Sequence, residues 1–383
     1  MQRFYFDHNA TTPVAPEVLE TVVSCLGQVY GNASSIHHFG QGAKQRLEGA
    51  RRQLASLIHA NPAEIVFTGG GTEADNMAVL GVFQSAPRPA HMVTTAIEHP
   101  AVLSPAIHLE REGVAVTRLR IGANGVLNPD DVRRALRPET ALVSVMHANN
   151  ELGTIQPIAE IARITHEAGV PLHVDGVQAL GKIPVDVDAL GVDLYSMSGH
   201  KLYAPKGVGA LYIRKGTRLS PVSFGGHHER DRRPGTENVP GIAAFGTAAD
   251  LAAGRLSADA ERLANLRDRL ESAVLDRIQG TGINGARWSR TPNTSNIYFD
   301  GIDGEAMVIS LDLRGFAVST GAACSSGALT PSHVLTAIGL SSDRARASMR
   351  FSLGRSNTVE QVDALVDAIE ASVAHLRRIS VHA

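Results

Sequence analysis

Two residues of this sequence, Lys201 and Cys324, have surroundings that favour covalent chemistry. Lys201 follows a strongly apolar run and has small, flexible neighbours. A lysine held near an apolar surface loses proton affinity and can act as a nucleophile or a base, although an amine that only reaches solvent from a strand end has the same setting. Cys324 lies in the segment 319–327, which otherwise consists of Ser, Thr, Gly and Ala. Because such a segment cannot pack well, it predicts a loop with an accessible, reactive thiol.

The other cysteine has a different setting. Cys25 is in register with Val18, Leu19 and Val22 on the apolar face of a predicted helix, so we expect its thiol to be buried and inert. Two cysteines in 383 residues exclude a disulfide framework and are typical of a reducing compartment.

A glycine-rich segment could bind a phosphate group. Three consecutive glycines end at Gly71, and Thr72 follows at the predicted start of a helix. The glycines allow the backbone to approach a ligand closely, and the first turn of the helix offers free N–H groups and the positive end of its dipole. A tight turn with a helix cap is the alternative.

An acidic residue, Asp175, ends a predicted buried strand. Ligands of open α/β sheets bind beyond the carboxyl ends of the strands, where an Asp can hold the proton of a heteroaromatic nitrogen; capping of the next helix is the alternative. A phosphate loop, a strand-end Asp, a strand-end Lys and a loop Cys therefore occur in this order. Together they suggest pyridoxal 5′-phosphate (PLP), which needs a phosphate cradle, a partner for its pyridine nitrogen and a lysine.

The elements that must position these residues alternate along the first two-thirds of the chain. Six short apolar runs indicate buried strands, at 65–68, 92–94, 114–116, 142–146, 172–174 and 194–197, with helical periodicity between them, for example at 40–60 and 157–168. Continuous apolar strands are typical of a parallel sheet covered on both faces. We therefore predict an α/β fold, with a large PLP-binding domain whose mostly parallel sheet lies between helices.

A smaller α+β domain is predicted beyond a long helical stretch at about 241–278. Its elements are strands near 296–299 and 349–352, a helix at 304–313 and a closing amphipathic helix at 358–378. We place the large domain, which would also form a dimer interface, at 15–257. The small domain would comprise 1–14 together with 258–383 and would carry the catalytic cysteine loop.

The composition excludes several classes of function. Apolar residues make up 43% of the chain and charged residues 19%, with a formal net charge of −2, so no global basic field exists for nucleic acid or anionic lipid. We expect no metal site, because adjacent histidines such as His227 and His228 rarely bind one ion. The sequence shows no apolar run long enough for a membrane span and no signal peptide. These features predict a cytoplasmic protein.

The motifs, taken together, resemble those of the NifS/IscS-type cysteine desulfurases, which belong to the class V aminotransferase-like enzymes of fold type I. The resemblance covers nearly the whole chain. It rests on motifs in the family's order: Asp7-His8-Asn9-Ala10-Thr11-Thr12-Pro13, Gly31-Asn32-Ala33-Ser34-Ser35, Glu98-His99, Asn149-Asn150-Glu151, Ser198-Gly199-His200-Lys201, Arg233-Pro234-Gly235-Thr236-Glu237-Asn238 and Phe351-Ser352-Leu353-Gly354-Arg355.

The resemblance implies roles for the residues around the cofactor ring. Lys201 would hold PLP as a Schiff base, and Asp175 would pair with the pyridine nitrogen. Gln178 would donate a hydrogen bond to the ring hydroxyl, and His99 would stack on the ring and assist proton transfers. Lys201, His99 and Cys324 would thus be the catalytic residues.

The resemblance also implies binding sites at the two ends of the cofactor. The phosphate would be held by Gly71, Thr72, Ser198 and His200 and, from the second subunit of a homodimer, by Thr236. The substrate, L-cysteine, would be bound by Asn32, Asn150 and Arg355, with Arg355 on its carboxylate.

The implied activity is that of a PLP-dependent cysteine desulfurase. Sulfur would be removed from L-cysteine to give L-alanine and a persulfide on Cys324. The sulfur would then pass to an acceptor protein of unknown identity, for Fe–S cluster assembly, tRNA thiolation or DNA phosphorothioation. A class V aminotransferase or a selenocysteine lyase-like enzyme is the alternative.

Overall fold

A seven-stranded sheet forms the centre of the larger part of the chain in the computed structural model, which describes residues 2–320 and 331–380. The strands of the described residues are β1 Phe4–Tyr5, β2 Ile65–Thr68, β3 His91–Thr95, β4 Ala115–Leu119, β5 Thr140–Met146, β6 Leu172–Asp175, β7 Leu194–Ser198, β8 Gly209–Ile213, β9 Thr281–Ile283, β10 Thr294–Phe299, β11 Phe316–Ala317, β12 Ser319–Thr320 and β13 Ser348–Ser352.

Helices cover both faces of this sheet and connect its strands. They are α1 Pro16–Gln28, α2 His38–Leu57, α3 Gly71–Ser85, α4 Pro100–Arg111, α5 Pro129–Ala135, α6 Ile158–Glu167, α7 Val187–Leu190, α8 Val239–Arg277, α9 Gly304–Leu313, α10 His333–Ala337, α11 Ser342–Arg346 and α12 Val359–Ser380. Single 3₁₀ turns lie at Pro62–Glu64, Gly199–Lys201 and Glu229–Asp231. None of the helices within the described ranges is long and apolar enough to cross a membrane.

The strand order of the large sheet is β2-β8-β7-β6-β5-β3-β4. Strands β3 to β7 run parallel to one another, and β8 is antiparallel to both of its neighbours. Every residue of β6, β7 and β8 is buried, and for β6 and β7 the continuous apolar runs predict this burial. The α/β prediction with a mostly parallel sheet is therefore confirmed. The sequence patterns miss β8, whose short run follows directly on the flexible segment after Lys201.

Two separate apolar cores lie along the long helix α8. Its first half packs into the core of the large sheet through residues such as Phe245 and Ala248. Its second half, including Leu266 and Leu270, packs into a second core with Phe6 of the N-terminal segment. This packing supports a division of the chain near residue 257 that joins 1–14 to the C-terminal part, and that division stays a prediction.

The second core is covered by an antiparallel sheet with strand order β12-β13-β10-β9. Beside it, β1 and β11 form a parallel pair, so the first strand of the chain lies in the C-terminal part. Helix α1 buries Cys25 and Val18, as expected, but Leu19 is 53% exposed. The expectation for Leu19 is wrong because the buried stripe follows Val18, Val22 and Cys25 at four- and three-residue steps, and Leu19 lies beside it.

Candidate active site

A cavity of about 380 Å³ opens at the carboxyl ends of the parallel strands β5, β6 and β7. The last residue of each strand lines it: Met146, Asp175 and Ser198. This is the edge at which open α/β sheets bind ligands, because loops diverge there and leave a crevice. The volume suits a small organic ligand.

Lys201 enters this cavity from the single 3₁₀ turn that follows β7. Its Nζ donates to the carbonyl oxygens of Asn9, at 2.5 Å, and Ala10, at 2.6 Å. The N-terminal segment is tied to the same turn, since Thr12 Oγ1 donates to the His200 carbonyl at 3.0 Å. The chain terminus and the turn after β7 therefore position the amine together.

Three buried acidic groups occur at the cavity: Asp75 and Asp175 line it, and Glu98 interacts electrostatically with both. Burial is the main cause that raises the pKa of Asp175 to about 6, that of Asp75 to about 7 and that of Glu98 to about 8.

The Oδ1 atom of Asp175 accepts the N–H of Val177 at 3.0 Å, and the nearby rings of His99 and His173 act on the same carboxyl by lowering its pKa. A protonated ring nitrogen would add a positive charge and a hydrogen bond that stabilise the ionised form. No helix begins directly after Asp175, because residues 177–179 form a turn and the next helix is capped by Asp186; the capping alternative is therefore wrong, and the contact with Val177 closes the turn.

His99 faces the cavity from the first residue before α4. Its Nδ1 accepts the N–H of Ala101 at 3.1 Å, so the proton of the neutral ring is on Nε2. Burial is the main cause that lowers the pKa of His99. The positive charge of Lys201 lowers it further. A neutral ring carrying its proton on Nε2 can lie against an aromatic ligand and still exchange a proton.

The far end of the cavity has the features of a phosphate site. Helix α3 begins at Gly71, and Gly71, Thr72 and Ser198 all line the cavity, so the first turn of the helix offers free N–H groups to an anion at this end. A Cβ on Gly71 would lie 2.7 Å from Val177 Cγ2 and 3.3 Å from Ser198 Cβ, so a side chain there would fill the space. Burial lowers the pKa of His200 to about 4, and its Nδ1 lies 3.1 Å from Thr11 Oγ1.

The residues present fit PLP along the whole cavity. Helix N–H groups and hydroxyls suit the phosphate, the amine of Lys201 suits the aldehyde, and the buried carboxyl of Asp175 suits the ring nitrogen. Gln178 also lines the cavity, and its Nε2 donates to the Asn9 carbonyl at 2.9 Å. Its Oε1 accepts from Lys182 Nζ, which fixes the orientation of the amide.

One cation of the cavity, Arg350, is not singled out by the sequence patterns. Its side chain is 2% exposed in the middle of β13, and it lines the cavity. Arg350 Nη2 donates to Asp7 Oδ1 at 2.7 Å and Nη1 to the Asn150 carbonyl at 3.1 Å, while Nε has no partner among the described residues. The sequence does contain a signal for Arg350, which is an arginine between Met349 and Phe351 in an apolar strand. Charged residues are rarely buried without a function or a partner.

Comparisons with known proteins agree with this geometry. The aminotransferase class-V family model matches residues 4–365. This chain belongs to the aminotransferase class-V family. The cysteine desulfurase IscS of Dictyoglomus turgidum is 47% identical over 377 residues, which cover 98% of this chain and 96% of that protein.

Solved structures of the family have the same fold. A NifS-like protein matches with a TM-score of 0.92 and 37% identity, covering 98% of this chain and 100% of that one. A structure described as SspA in complex with cysteine matches with a TM-score of 0.81 and 35% identity, covering 91% of this chain and 98% of that one. The resemblance drawn from the motifs is thus confirmed.

Most of the site residues expected from the sequence of this class-V chain meet in the cavity. They are Gly71, Thr72, His99, Asn150, Asp175, Gln178, Ser198, His200 and Lys201. Their chemical roles stay predictions.

Three other expected residues do not line this cavity. Arg355 lines a neighbouring cavity of about 30 Å³, where its Nε donates to Asp259 Oδ2 at 2.8 Å and its guanidinium carbon lies 4.4 Å from the centre of the Tyr203 ring. Asn32 is exposed, and its Oδ1 accepts the N–H of Ser34 at 2.8 Å. Thr236 is exposed as well. Cys324 lies outside the described residues, and its accessibility stays a prediction.

Proposed function

We propose that this chain is a PLP-dependent cysteine desulfurase that converts L-cysteine into L-alanine and a protein-bound persulfide. The observation that supports the proposal is a single cavity lined by Lys201, by Asp175 and by Gly71 and Thr72 at the start of helix α3, which are the three kinds of group that PLP needs. The 47% identity to a cysteine desulfurase over almost the entire chain supports the choice of this reaction within the family.

The residues of the cavity would divide the work around the cofactor. When bound, PLP supplies an electron sink that stabilises negative charge at the α-carbon of an amino acid. Asp175 would keep the ring nitrogen protonated, and the amide of Gln178, oriented by Lys182, would donate to the ring oxygen. The amine of Lys201 would hold the aldehyde carbon, accept the α-proton of the substrate and return a proton to the product. His99 would cover the ring and carry a proton on Nε2.

Arg350 is a better candidate than Arg355 for the substrate carboxylate. Arg350 lines the main cavity, and its Nε lacks a partner among the described residues. Arg355 is engaged by Asp259 and Tyr203 outside that cavity. We therefore propose that Arg350 binds the substrate carboxylate beside Asn150. The carboxylate-binding role expected for Arg355 stays a prediction.

Sulfur would leave the cavity on Cys324. In the proposed transfer the thiolate of Cys324 bonds to the substrate sulfur, the carbon–sulfur bond breaks, and the carbon fragment gains a proton and leaves as L-alanine. The persulfide would then pass its outer sulfur to an acceptor protein. We further infer a cytoplasmic homodimer in which the exposed Thr236 reaches the partner's phosphate site; Fe–S cluster assembly is one destination of the sulfur.

The proposal is tested by incubating the purified, PLP-loaded protein with L-cysteine and a thiol reductant. We expect alanine and sulfide in equal amounts, and a Cys324→Ser variant that keeps the visible absorbance of PLP but releases no sulfide. A matched Cys25→Ser variant, in which a buried thiol is replaced, should retain turnover. Alanine formation that requires a keto acid would instead indicate an aminotransferase. Preference for selenocysteine, with activity retained in Cys324→Ser, would indicate a lyase that does not use this thiol.

A further inference from the structure

A strained backbone segment lies just before the loop that carries Thr236. Glu229, Arg230 and Asp231 have φ values of 43°, 58° and 64°. Three consecutive residues with side chains in the left-handed region are unfavourable, because Cβ approaches the following carbonyl oxygen. Such a conformation persists only where the surrounding structure imposes it.

A buried ion pair holds this segment against the edge of the large sheet. Glu229 Oε1 accepts from Arg51 Nη2 at 2.7 Å, and Oε2 accepts from Arg51 Nη1 at 2.8 Å, with both side chains 3% exposed. Oε2 also accepts the N–H of Phe67, and Arg51 Nη1 donates to the Ile65 carbonyl, each at 2.8 Å. The pair thus forms hydrogen bonds with backbone groups of the edge strand β2. This strand leads directly into the glycine-rich phosphate loop, residues 69–72.

The chain beyond this pair is attached at two further points. Arg233 Nε donates to Glu73 Oε1 at 2.8 Å, and Glu73 Oε2 accepts the N–H of Gly69 in the phosphate loop at 2.6 Å. Asn238 Oδ1 accepts the N–H of Gly241 and so caps α8. Its Nδ2 donates to the Gly207 carbonyl. Between these attachments, Gly235 and Thr236 are exposed. We call residues 232–238 the arm.

We propose that Arg51 and Glu229 are a positioning pair, which holds the arm so that Thr236 can bind the cofactor phosphate of the partner subunit. The inference rests on the proposed homodimeric PLP enzyme and on the action of Thr236 across its interface. A carboxylate that binds both guanidinium nitrogens fixes direction as well as distance. Without this pair, we expect the strained turn to relax and the arm to lose its orientation.

The test compares two cofactor forms, PLP and pyridoxal, which lacks the phosphate. For the apo-protein, the dissociation constants of both are measured by their absorbance changes. Glu229→Gln keeps an acceptor for Phe67 but removes the charge facing Arg51, and we expect it to weaken PLP binding about tenfold while pyridoxal binding is unchanged. An equal loss for both forms, or none for either, overturns the inference, because general destabilisation does not distinguish a phosphate.

Three further variants complete the comparison. Glu110→Gln breaks an exposed two-bond pair with Arg118 and is the matched control with no expected effect. Arg51→Lys keeps the charge but cannot bind both carboxylate oxygens, and it replaces Glu229→Gln if that variant fails to fold. Thr236→Val tests the arm itself. If this variant keeps the preference for PLP over pyridoxal, the proposed contact of Thr236 is refuted. If Thr236→Val loses the preference but the Glu229 variant keeps it, only the positioning pair is refuted.

Mixed dimers show in which subunit the pair acts. In a dimer of a wild-type subunit and a Glu229→Gln/Lys201→Ala subunit, only the wild-type subunit keeps Lys201. The arm that faces its site belongs to the altered subunit, so we expect weakened PLP binding. When a Glu229→Gln subunit is paired with a Lys201→Ala subunit, the only covalent site faces an intact arm, and binding should be normal. The reverse pattern would place the effect within one chain and contradict the proposal.

Discussion

Glu98 should make the stability of this protein depend on pH in the alkaline range. Its side chain is fully buried; Oε1 accepts from Thr95 Oγ1 at 2.6 Å and from the N–H of Met146 at 3.0 Å, and Oε2 has no partner among the described residues. Burial raises the pKa of Glu98 from 4.5 to about 8. The folded protein therefore keeps a proton on this group that the unfolded chain releases.

The sign and size of the effect follow from this difference in pKa. Because the folded value is higher, the stabilising contribution is complete below pH 4.5 and is lost as the pH rises to 8. At 1.36 kcal/mol per pKa unit, the full loss approaches ~5 kcal/mol. Glu98→Gln cannot ionise and keeps the acceptor for Thr95 and Met146. We expect the variant to equal the wild type near pH 5 and to exceed it by several kcal/mol at pH 9.

The assay is urea unfolding of the apo-protein from pH 5 to 9, followed by circular dichroism at one chain concentration, since dimerisation adds to stability. Glu305→Gln, a change at an exposed position on α9, is the control and should follow the wild type within ~0.5 kcal/mol at every pH. Parallel curves for Glu98→Gln and the wild type would refute the reasoning, because they would mean that Glu98 is ionised in the folded protein.

Two further predictions concern the cavity itself. Arg350→Met should lower kcat/KM for L-cysteine by ~10- to 100-fold, mainly through KM, because a charge-assisted hydrogen bond to the carboxylate is lost; steady-state kinetics should show a smaller effect for Arg355→Met, and the opposite order would return the role to Arg355. Asp175→Asn removes the charge opposite the ring nitrogen, so we expect kcat to fall by at least ~100-fold with PLP still bound, and wild-type turnover would contradict the assignment of Asp175.

The parallel sheet and most of the cavity could be predicted from the sequence because both depend on local patterns. Continuous apolar runs identify buried strands, and parallel strands bring their carboxyl ends to one edge. These patterns predict Asp175 at the end of a strand and Lys201 close after one, and the structure has Asp175 as the last residue of β6 and Lys201 in the turn after β7. The same reasoning misses β8, since its short apolar run could not be told from the loop around it. The direction of a single strand is decided by its partners, which lie far away in the chain.

The two arginines show where sequence patterns stop. Arg350 and Arg355 are five residues apart, and the motif around Arg355 is the more conspicuous in the sequence. Only the pairing of β13 with β10 and β12 fixes that Arg350 lies in the cavity, whereas Arg355 follows the strand and meets Asp259. Sidedness of this kind depends on tertiary packing and cannot be read from spacing.

The contacts of the N-terminal segment make assembly of the site depend on long-range folding. Asp7 bonds to Arg350, and the N–H of Asn9 bonds to Ser352, across 343 positions of the chain in both cases. The carbonyl oxygen of Asn9 in turn accepts a hydrogen bond from the amine of Lys201. The amine is therefore held in this position only when segments from distant parts of the sequence have met, and local structure around Lys201 is not sufficient.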